Sequence, residues 1–262
     1  MSVTDNPVKS ILFDIDGTLV FKNKPVPGAV ETVRHVQEAG YRVLLLTNMT
    51  SRPPSVIAAN LRKLGFDIRE KQIQSASTAC VAYLKQQPTK SCHLLVPSAS
   101  REMFTGIKMN DHNPDFVVIS DIGDDFTYSV LDRAFVMLDN GAELIAVQKN
   151  MFWYDGDRKR LDCGPFIVGL EAATGKKAKV MGKPSGEFFD QALKLLRSTP
   201  SEALVVGDDI MTDIKGAGAM RSVLVGTGKF APAHLEPPYE QPTWFIESVA
   251  KLPDLLVSIK KK

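Results

Sequence analysis

Short, continuously apolar segments alternate with amphipathic segments toward both ends of this chain. The pattern predicts buried strands at SILFDID, YRVLLLTN, AKVMG, ALVVGDD and SVLVG, and helices at PGAVETVRHVQEAG, PPSVIAANLRKLG, SGEFFDQALKLLRS and TDIKGAGAM. Gly40 and Gly65 stand where the first two helices should end. Because strands that are apolar on both faces need helices on both sides, the alternation favours a parallel sheet in an α/β fold.

The middle of the chain has a different pattern of apolar and polar residues. It predicts strands at CHLLVPS, PDFVVISD and AELIAVQ, helices at YSVLDRAFVMLDNG and PFIVGLEAATG, and a hairpin in the aromatic segment NMFWYDGDRKRLDCG. A chain of 262 residues is long enough for two domains. We therefore predict a doubly wound parallel-sheet core in residues 1–77 and 182–262, with an α/β domain inserted at residues 78–181.

Composition and charge argue against several classes of protein. The 32 basic and 30 acidic residues nearly balance, which does not favour nucleic acid or an anionic membrane as the main partner. No apolar run approaches the ~20 residues of a membrane helix, and the first residues lack the apolar core of a signal peptide. The three cysteines form no CxxC pair, which argues against a disulfide framework or a structural zinc site. We expect a soluble, cytoplasmic protein.

Polar side chains follow four of the predicted core strands. These residues are Asp14 and Asp16, then Thr47 and Asn48, then Lys183, and finally Asp208, Asp209 and Asp213. In parallel α/β sheets, ligands bind beyond the carboxyl ends of the strands, so we expect these side chains to share one site. Each cluster alone is explained as well by helix capping or a turn. Their coincidence at four strand ends favours a functional site.

The chemistry of these residues suits phosphoryl transfer. A carboxylate such as Asp14 can attack phosphorus, and Mg²⁺ takes carboxylate ligands such as Asp14 and Asp208. In an extended strand Asp16 would face the same side as Asp14, where it can act as general acid and base. The hydroxyl of Thr47 and the ammonium of Lys183 would neutralise charge on the phosphoryl oxygens.

The motifs DIDGT, TN, GKP and GDDIMTD, in this order and spacing, resemble the four motifs of the haloacid dehalogenase superfamily of phosphohydrolases. The insert resembles the C2-type cap of the subfamily that contains NagD, pyridoxal phosphatase and the 4-nitrophenylphosphatases. The segments CGPFIVGLEAATGKKAKVMGKPSGEFF and VGTGKF are similar to the branch that contains phospholysine phosphohistidine inorganic pyrophosphate phosphatase. The resemblance implies a Rossmann-like core and a Mg²⁺ cofactor.

The resemblance also implies a role for individual residues. It implies that Asp14 is the nucleophile, that Asp16 is the acid and base, and that the Asp16 backbone carbonyl joins the metal shell. It implies that Asp208 is a metal ligand and that Thr47 and Lys183 bind phosphate. Asn48 belongs to the second motif and is expected beside the phosphate, and Asp209 and Asp213 are expected to support the metal or Lys183.

The segment Cys163–Pro165 is a candidate for determining substrate specificity. Cys163 and Gly164 precede a predicted helix whose positive N-terminus can attract an anion, and the resemblance implies a specificity loop near this position. By contrast, GTGK at 226–229 does not qualify as a phosphate-binding P-loop. Phe230 stands where that motif requires Ser or Thr, and the upstream glycine spacing also fails.

We therefore expect a Mg²⁺-dependent phosphatase that hydrolyses a small phosphorylated compound through an aspartyl-phosphate on Asp14. Two alternatives stay open at this point. The first is a phosphotransferase that passes the phosphoryl group to an acceptor other than water. The second is a non-catalytic regulator that binds a phosphorylated ligand. The sequence does not name the substrate, and it leaves open whether the chain forms a homodimer.

Overall fold

The computed structural model describes residues 7–260 of the chain. The strands are β1 (Ser10–Asp14), β2 (Val20–Phe21), β3 (Lys24–Pro25), β4 (Arg42–Thr47), β5 (Ile73–Ser75), β6 (Cys92–Leu95), β7 (Phe116–Ile119), β8 (Glu143–Ala146), β9 (Phe152–Asp155), β10 (Arg158–Leu161), β11 (Lys179–Val180), β12 (Ala203–Gly207), β13 (Arg221–Val225) and β14 (Trp244–Ile246). The α-helices are α1 (Ala29–Glu38), α2 (Pro54–Lys63), α3 (Ala76–Lys85), α4 (Tyr128–Asp139), α5 (Gly164–Thr174), α6 (Gly186–Leu196), α7 (Lys215–Ala217) and α8 (Leu252–Lys260).

The chain divides into two compact units. The first contains the N-terminal segment up to Thr47, the segment Pro54–Gln74 and the residues from Lys183 onward. The second contains Asn48–Pro53 and Ser75–Gly182. Residues 48–53, which the sequence analysis placed in the core, therefore group with the second unit. The assignment of the first unit as a hydrolase core and of the second as a cap stays a prediction.

The first unit is built on a six-stranded sheet with the strand order β14-β13-β12-β1-β4-β5. Strand β1 pairs in parallel with β12 on one side and with β4 on the other, and β13 and β14 extend the parallel sheet beyond β12. All five residues of β1 are buried, as are all five of β12, which explains their continuous apolar sequence. The strand order leads outward from β1 in both directions and confirms the predicted doubly wound α/β fold.

The parallel register brings the polar residues to one edge of this sheet. Asp14 ends β1 and pairs with Leu46 of β4, and Thr47 follows immediately. On the other side of β1, strand β12 ends at Gly207, and Asp208 follows it. The carboxyl ends of three neighbouring strands therefore carry two acidic side chains and a hydroxyl.

The second unit has its own parallel sheet of four strands, in the order β11-β8-β7-β6. Its apolar core includes Phe116 and Val118 of β7 and Ile145 of β8. The predicted hairpin is present as the antiparallel pair β9 and β10, and the two predicted helices of this region are α4 and α5. Across residues 7–260, every helix is too short or too polar to span a membrane.

The segment TDIKGAGAM differs from the predicted helix. Only Lys215–Ala217 is α-helical, and the preceding segment, Ile210–Ile214, is a wider π-helical turn. Gly216 lies so close to α6 that a Cβ there would come within 2.2 Å of the Phe189 ring. Gly216 therefore lets α7 pack closely against α6, although α7 itself is much shorter than the predicted helix.

Candidate active site

Asp14 is a buried carboxylate with one oxygen bonded and one without a partner. Lys183 Nζ donates a hydrogen bond to Asp14 Oδ1 at 2.5 Å. Asp14 Oδ2 is buried and accepts no hydrogen bond from any residue that the structure describes. Burial raises the pKa of Asp14, whereas the Lys183 ammonium opposes that rise. A buried oxygen without a donor is costly in a folded protein, so it points to a cation or ligand that the site normally holds.

Lys183 joins two carboxylates at the centre of the site. Its Nζ lies 2.5 Å from Asp14 Oδ1 and 2.7 Å from Asp213 Oδ1, and its side chain is 3% exposed. Burial alone would lower the pKa of Lys183, but the negative charges of Asp14 and Asp213 outweigh burial and hold that pKa above its usual value. Lys183 therefore carries a full positive charge at neutral pH.

Three carboxylates come together in this site. Asp14, Asp208 and Asp213 each place an oxygen within 4.8 Å of the other two. Burial and the repulsion of Asp14 and Asp213 raise the pKa of Asp208 well above its usual value. Burial also raises the pKa of Asp213 to about 7, although Lys183 opposes this shift. Oxygen donors of this kind are the ligands that Mg²⁺ prefers.

The charges of the site fit a divalent cation. Four carboxylates and two ammonium groups meet here, namely those of Asp14, Asp208, Asp209, Asp213, Lys183 and Lys229. When all six are ionised, two negative charges are left over, and the Asp16 carboxylate, whose charge also raises the pKa of Asp14, adds a third. This excess of negative charge and the unpartnered Asp14 Oδ2 suit a divalent cation.

The segment GTGK also contributes to the site, although it is not a P-loop. The Lys229 backbone N–H donates to Asp208 Oδ2 at 2.6 Å, and Lys229 Nζ donates to Asp209 Oδ2 at 3.0 Å. The Thr227 hydroxyl donates to the Gly17 carbonyl at 2.6 Å and so fastens this loop to the turn after β1. Lys229 was not among the predicted site residues, and the only signal for it was the resemblance carried by VGTGKF.

Two glycines make room for the Asp208 carboxylate. A Cβ on Gly17 would lie 2.2 Å from Asp208 Oδ2, and a Cβ on Gly228 would lie 2.0 Å from the same atom. Both residues have positive φ angles, 101° and 61°, in the region that other residues rarely adopt. The position of Asp208 therefore depends on glycine at both places.

The remaining predicted core residues lie at the same sheet edge or just beyond it. Strand β1 ends at Asp14, and the chain then turns so that Gly17 N–H donates to the Val20 carbonyl. Asp16 lies in this turn with an exposed side chain, so strand alternation does not determine its direction. Thr47 is buried at the end of β4. The next residue, Asn48, already belongs to the second unit and donates from Nδ2 to Asn150 of that same unit at 3.1 Å.

Cys163 and Gly164 lie at the start of α5, as predicted, but neither is exposed. The Cys163 N–H donates to Asp162 Oδ1, and the Gly164 N–H donates to the Asn150 carbonyl, so both donors are already satisfied within the second unit. Burial raises the pKa of the Cys163 thiol, which argues against a reactive thiolate. Pro165 is the partly exposed residue of this turn. A role for Cys163 and Gly164 in substrate binding stays a prediction.

Comparison with known proteins gives consistent matches over most of the chain. Residues 11–109 match the family model of the haloacid dehalogenase-like hydrolases, and residues 180–252 match a second model described as HAD-hydrolase-like. The chain is 38% identical over 238 residues to haloacid dehalogenase-like hydrolase domain-containing protein 2 of Rattus norvegicus, covering 88% of this chain and 91% of the relative. It is 34% identical over 263 residues to phospholysine phosphohistidine inorganic pyrophosphate phosphatase of Mus musculus, covering 97% of this chain and 96% of that relative. The solved structure of NagD from E. coli K-12 matches with a TM-score of 0.86 and 27% identity, covering 94% of this chain and 98% of NagD.

Proposed function

This chain belongs to the haloacid dehalogenase-like hydrolases, and we propose that within this family it is a Mg²⁺-dependent phosphatase that forms an aspartyl-phosphate on Asp14. The observation that carries the proposal is the cluster of Asp14, Asp208 and Asp213 around the buried ammonium of Lys183, with Asp14 Oδ2 unpartnered. A relative named as a phosphatase matches almost the whole chain, which supports the same conclusion.

The proposed metal ligands are the carboxylates of Asp14 and Asp208 and the backbone carbonyl of Asp16. When bound, Mg²⁺ supplies positive charge that orients a phosphoryl group and stabilises the charge that develops on its oxygens. The backbone N–H of Lys229 donates a hydrogen bond to Asp208 Oδ2 and so fixes the orientation of that carboxylate.

The residues of this chain would carry out two displacements at phosphorus. In the first, an Asp14 oxygen bonds to phosphorus while the bond to the leaving oxygen breaks, and Asp16 donates a proton to that oxygen. In the second, Asp16 takes a proton from water, the water oxygen attacks phosphorus, and inorganic phosphate leaves with Asp14 restored. Lys183 and Thr47 neutralise the phosphoryl oxygens in both steps.

Hydrolysis of 4-nitrophenyl phosphate tests this function. We expect release of 4-nitrophenol and inorganic phosphate in equal amounts, dependent on Mg²⁺ and abolished by EDTA. If added alcohols or sugars lower the yield of inorganic phosphate below that of 4-nitrophenol, the chain is a phosphotransferase. If no compound in a broad panel of phosphorylated metabolites is turned over while one of them binds, the chain is a binding regulator.

Gly228→Ala should weaken Mg²⁺ binding by about 10- to 100-fold, the range expected when the support of a metal ligand is disturbed. The reason is that the added Cβ would lie 2.0 Å from Asp208 Oδ2 and must displace this carboxylate. The measurement is the Mg²⁺ concentration that gives half of the maximal rise in melting temperature.

Gly123→Ala is the matched control for this variant. Gly123 has a φ of 58°, close to the 61° of Gly228, but a Cβ there would meet nothing within 4 Å. Both variants therefore place alanine at nearly the same positive φ, and only Gly228→Ala crowds Asp208 and the Gly17 backbone beside it. Equal Mg²⁺ affinity in the two variants would show that Asp208 is not a metal ligand.

The names of the relatives suggest which phosphorylated compounds to test. A phosphatase named for phospholysine, phosphohistidine and pyrophosphate shares 34% of its aligned residues with this chain, so phosphoramidates and pyrophosphate belong in the panel beside phosphomonoesters. We expect Pro165→Ala to change the ranking of these substrates, because Pro165 is partly exposed in the first turn of α5. If this variant scales kcat/KM for every substrate by one common factor, the turn has only a structural role.

A further inference from the structure

A cavity of about 460 Å³ opens on the first unit at the amino ends of its central strands. Its polar lining consists of Lys9, Tyr41, Arg42, Arg197, Glu202 and Lys260. Lys9 precedes β1, Arg42 begins β4, and Glu202 precedes β12. The acidic site lies at the carboxyl ends of these same strands, so the cavity belongs to the opposite edge of the sheet. Its volume falls in the range of about 300–1,000 Å³ that is usual for small-ligand pockets.

The lining is strongly cationic. Four basic side chains surround the cavity, and Glu202 is its one acidic residue. Lys9 Nζ forms an ion pair with Glu202 Oε1 at 2.5 Å, which neutralises both charges. Arg42, Arg197 and Lys260 form no ion pair within residues 7–260. Three positive charges thus converge on one concave surface, and this concentration of charge favours an anion there.

The turn that carries Arg197 is built in an unusual way. Arg197 follows α6 with φ of 49° and ψ of 48°, a left-handed conformation that Gly or Asn adopts at lower cost. The Arg42 guanidinium donates to the Arg197 carbonyl at 2.8 Å and to the Ser198 hydroxyl at 2.9 Å, and so holds this turn in place. Arg197 therefore places a cationic side chain in the lining of the cavity, at a backbone position where Gly or Asn would be less strained.

We propose that this cavity binds a small organic diphosphate, such as a nucleoside diphosphate. The three unpaired cations balance the charge of a diphosphate group. The planar guanidinium of Arg197 suits bidentate contacts with phosphoryl oxygens, whereas Arg42, which already donates to the Arg197 carbonyl and the Ser198 hydroxyl, contributes charge. Tyr41 offers an aromatic face for the organic part, and Lys260 Nζ lies 5.0 Å from the centre of its ring. The proposal is independent of the proposed function, because it uses none of the residues of the acidic site.

The test is isothermal titration calorimetry of ADP into the whole protein, in buffer that a chelating resin has freed of divalent cations. Without a divalent cation the acidic site repels anions, so the signal reports the cavity. Arg197→Asn combined with Lys260→Gln should weaken ADP binding by about 100-fold, roughly tenfold for each charge-assisted contact removed. Asn suits the left-handed backbone at 197, and Lys260→Gln alone provides a second variant at an exposed site, with an expected loss of about tenfold.

Lys194→Gln is the matched control, because Lys194 is an exposed residue of α6 that does not line the cavity. It should bind ADP with the affinity of the unmodified chain, and Asp14→Asn should do the same. Absence of ADP binding at millimolar concentration, or unchanged affinity in both charge-removing proteins, would overturn the proposal. Loss of binding in Asp14→Asn would assign the ADP to the acidic site instead.

Methylenediphosphonate, which has the two phosphoryl groups but not the organic part of ADP, is the second probe. If it binds as tightly as ADP, the cavity takes inorganic diphosphate and the organic part of the proposal is wrong.

Discussion

Asp14→Asn will lower kcat for 4-nitrophenyl phosphate by at least about 10⁴-fold, the scale of loss seen when a nucleophile that acts with its partners is removed. The amide keeps the shape of the carboxylate but has no anionic oxygen to bond to phosphorus. It also removes the ion pair between Lys183 and Asp14 and leaves the one between Lys183 and Asp213 in place. The measurement is steady-state release of 4-nitrophenol at saturating Mg²⁺.

Two further variants make this result specific. Asp67→Asn is the matched control, because Asp67 is an exposed carboxylate of the same unit outside the acidic cluster, and it should retain full activity. Asp16→Asn should lose more activity toward poor leaving groups than toward 4-nitrophenol, because a poor leaving oxygen needs the proton that Asp16 donates. Activity of Asp14→Asn above a few per cent would refute the nucleophile assignment, and equal losses for all leaving groups would remove the acid role from Asp16.

The core strands were predictable from sequence because burial on both faces requires a short, continuous apolar segment. Strands β1 and β12 are buried at every position, so their residues are apolar or small, with the exception of Asp14 at the end of β1. Helix α6 buries Phe188, Phe189 and Leu193 at helical spacing, which produces the amphipathic pattern that identified it. The polar residues after these strands were predictable for a related reason, since parallel strands deliver their carboxyl ends to one edge.

Helix α3 was missed because its buried face carries little apolar pattern. Its buried positions include Ala76, Ser77, Ala79 and Cys80, small residues that do not form a clear apolar stripe. The helix begins with a capping box in which Ser75 accepts from the Thr78 N–H and the Thr78 hydroxyl accepts from the Ser75 N–H. The usual sequence signal for this motif has Glu or Gln at the last position, so Thr78 did not reveal it.

The contribution of Lys229 could not be derived from its side-chain type. Its contact with Asp208 uses the backbone N–H, a donor that almost every residue has, so the residue sequence does not mark it. The end of β1 at Asp14, two residues earlier than predicted, was missed for a comparable reason. The end of β1 is set by the turn in which Gly17 N–H bonds to the Val20 carbonyl, and apolar patterning does not locate such a turn to within a residue.

Lys183→Met will lower the free energy of unfolding of the metal-free protein by about 3–5 kcal/mol, the usual result of removing one partner from a buried ion pair. The substitution keeps a long, unbranched side chain but leaves Asp14 and Asp213 without their shared cation. The loss should be measured by urea denaturation in EDTA. Lys194→Met, at an exposed position of α6, is the control and should change stability by less than about 0.5 kcal/mol.

The pH dependence of this loss separates an electrostatic cause from a packing defect. Burial raises the pKa of Asp14, Asp208 and Asp213 above the value of 3.8, so the folded protein binds more protons than the unfolded chain and loses stability as pH rises through these pKa values. Lys183 opposes that rise at Asp14 and Asp213. Without it both pKa values increase further, and the loss of stability on raising the pH becomes larger.

The destabilisation by Lys183→Met should therefore be greater at about pH 8 than at about pH 5, where the carboxylates take up protons instead. Saturating Mg²⁺ should recover part of the loss at the higher pH by mass action. An equal loss at both pH values, with no recovery in Mg²⁺, would show that Lys183 stabilises this unit through packing and that the carboxylates are not held in charge balance by its ammonium.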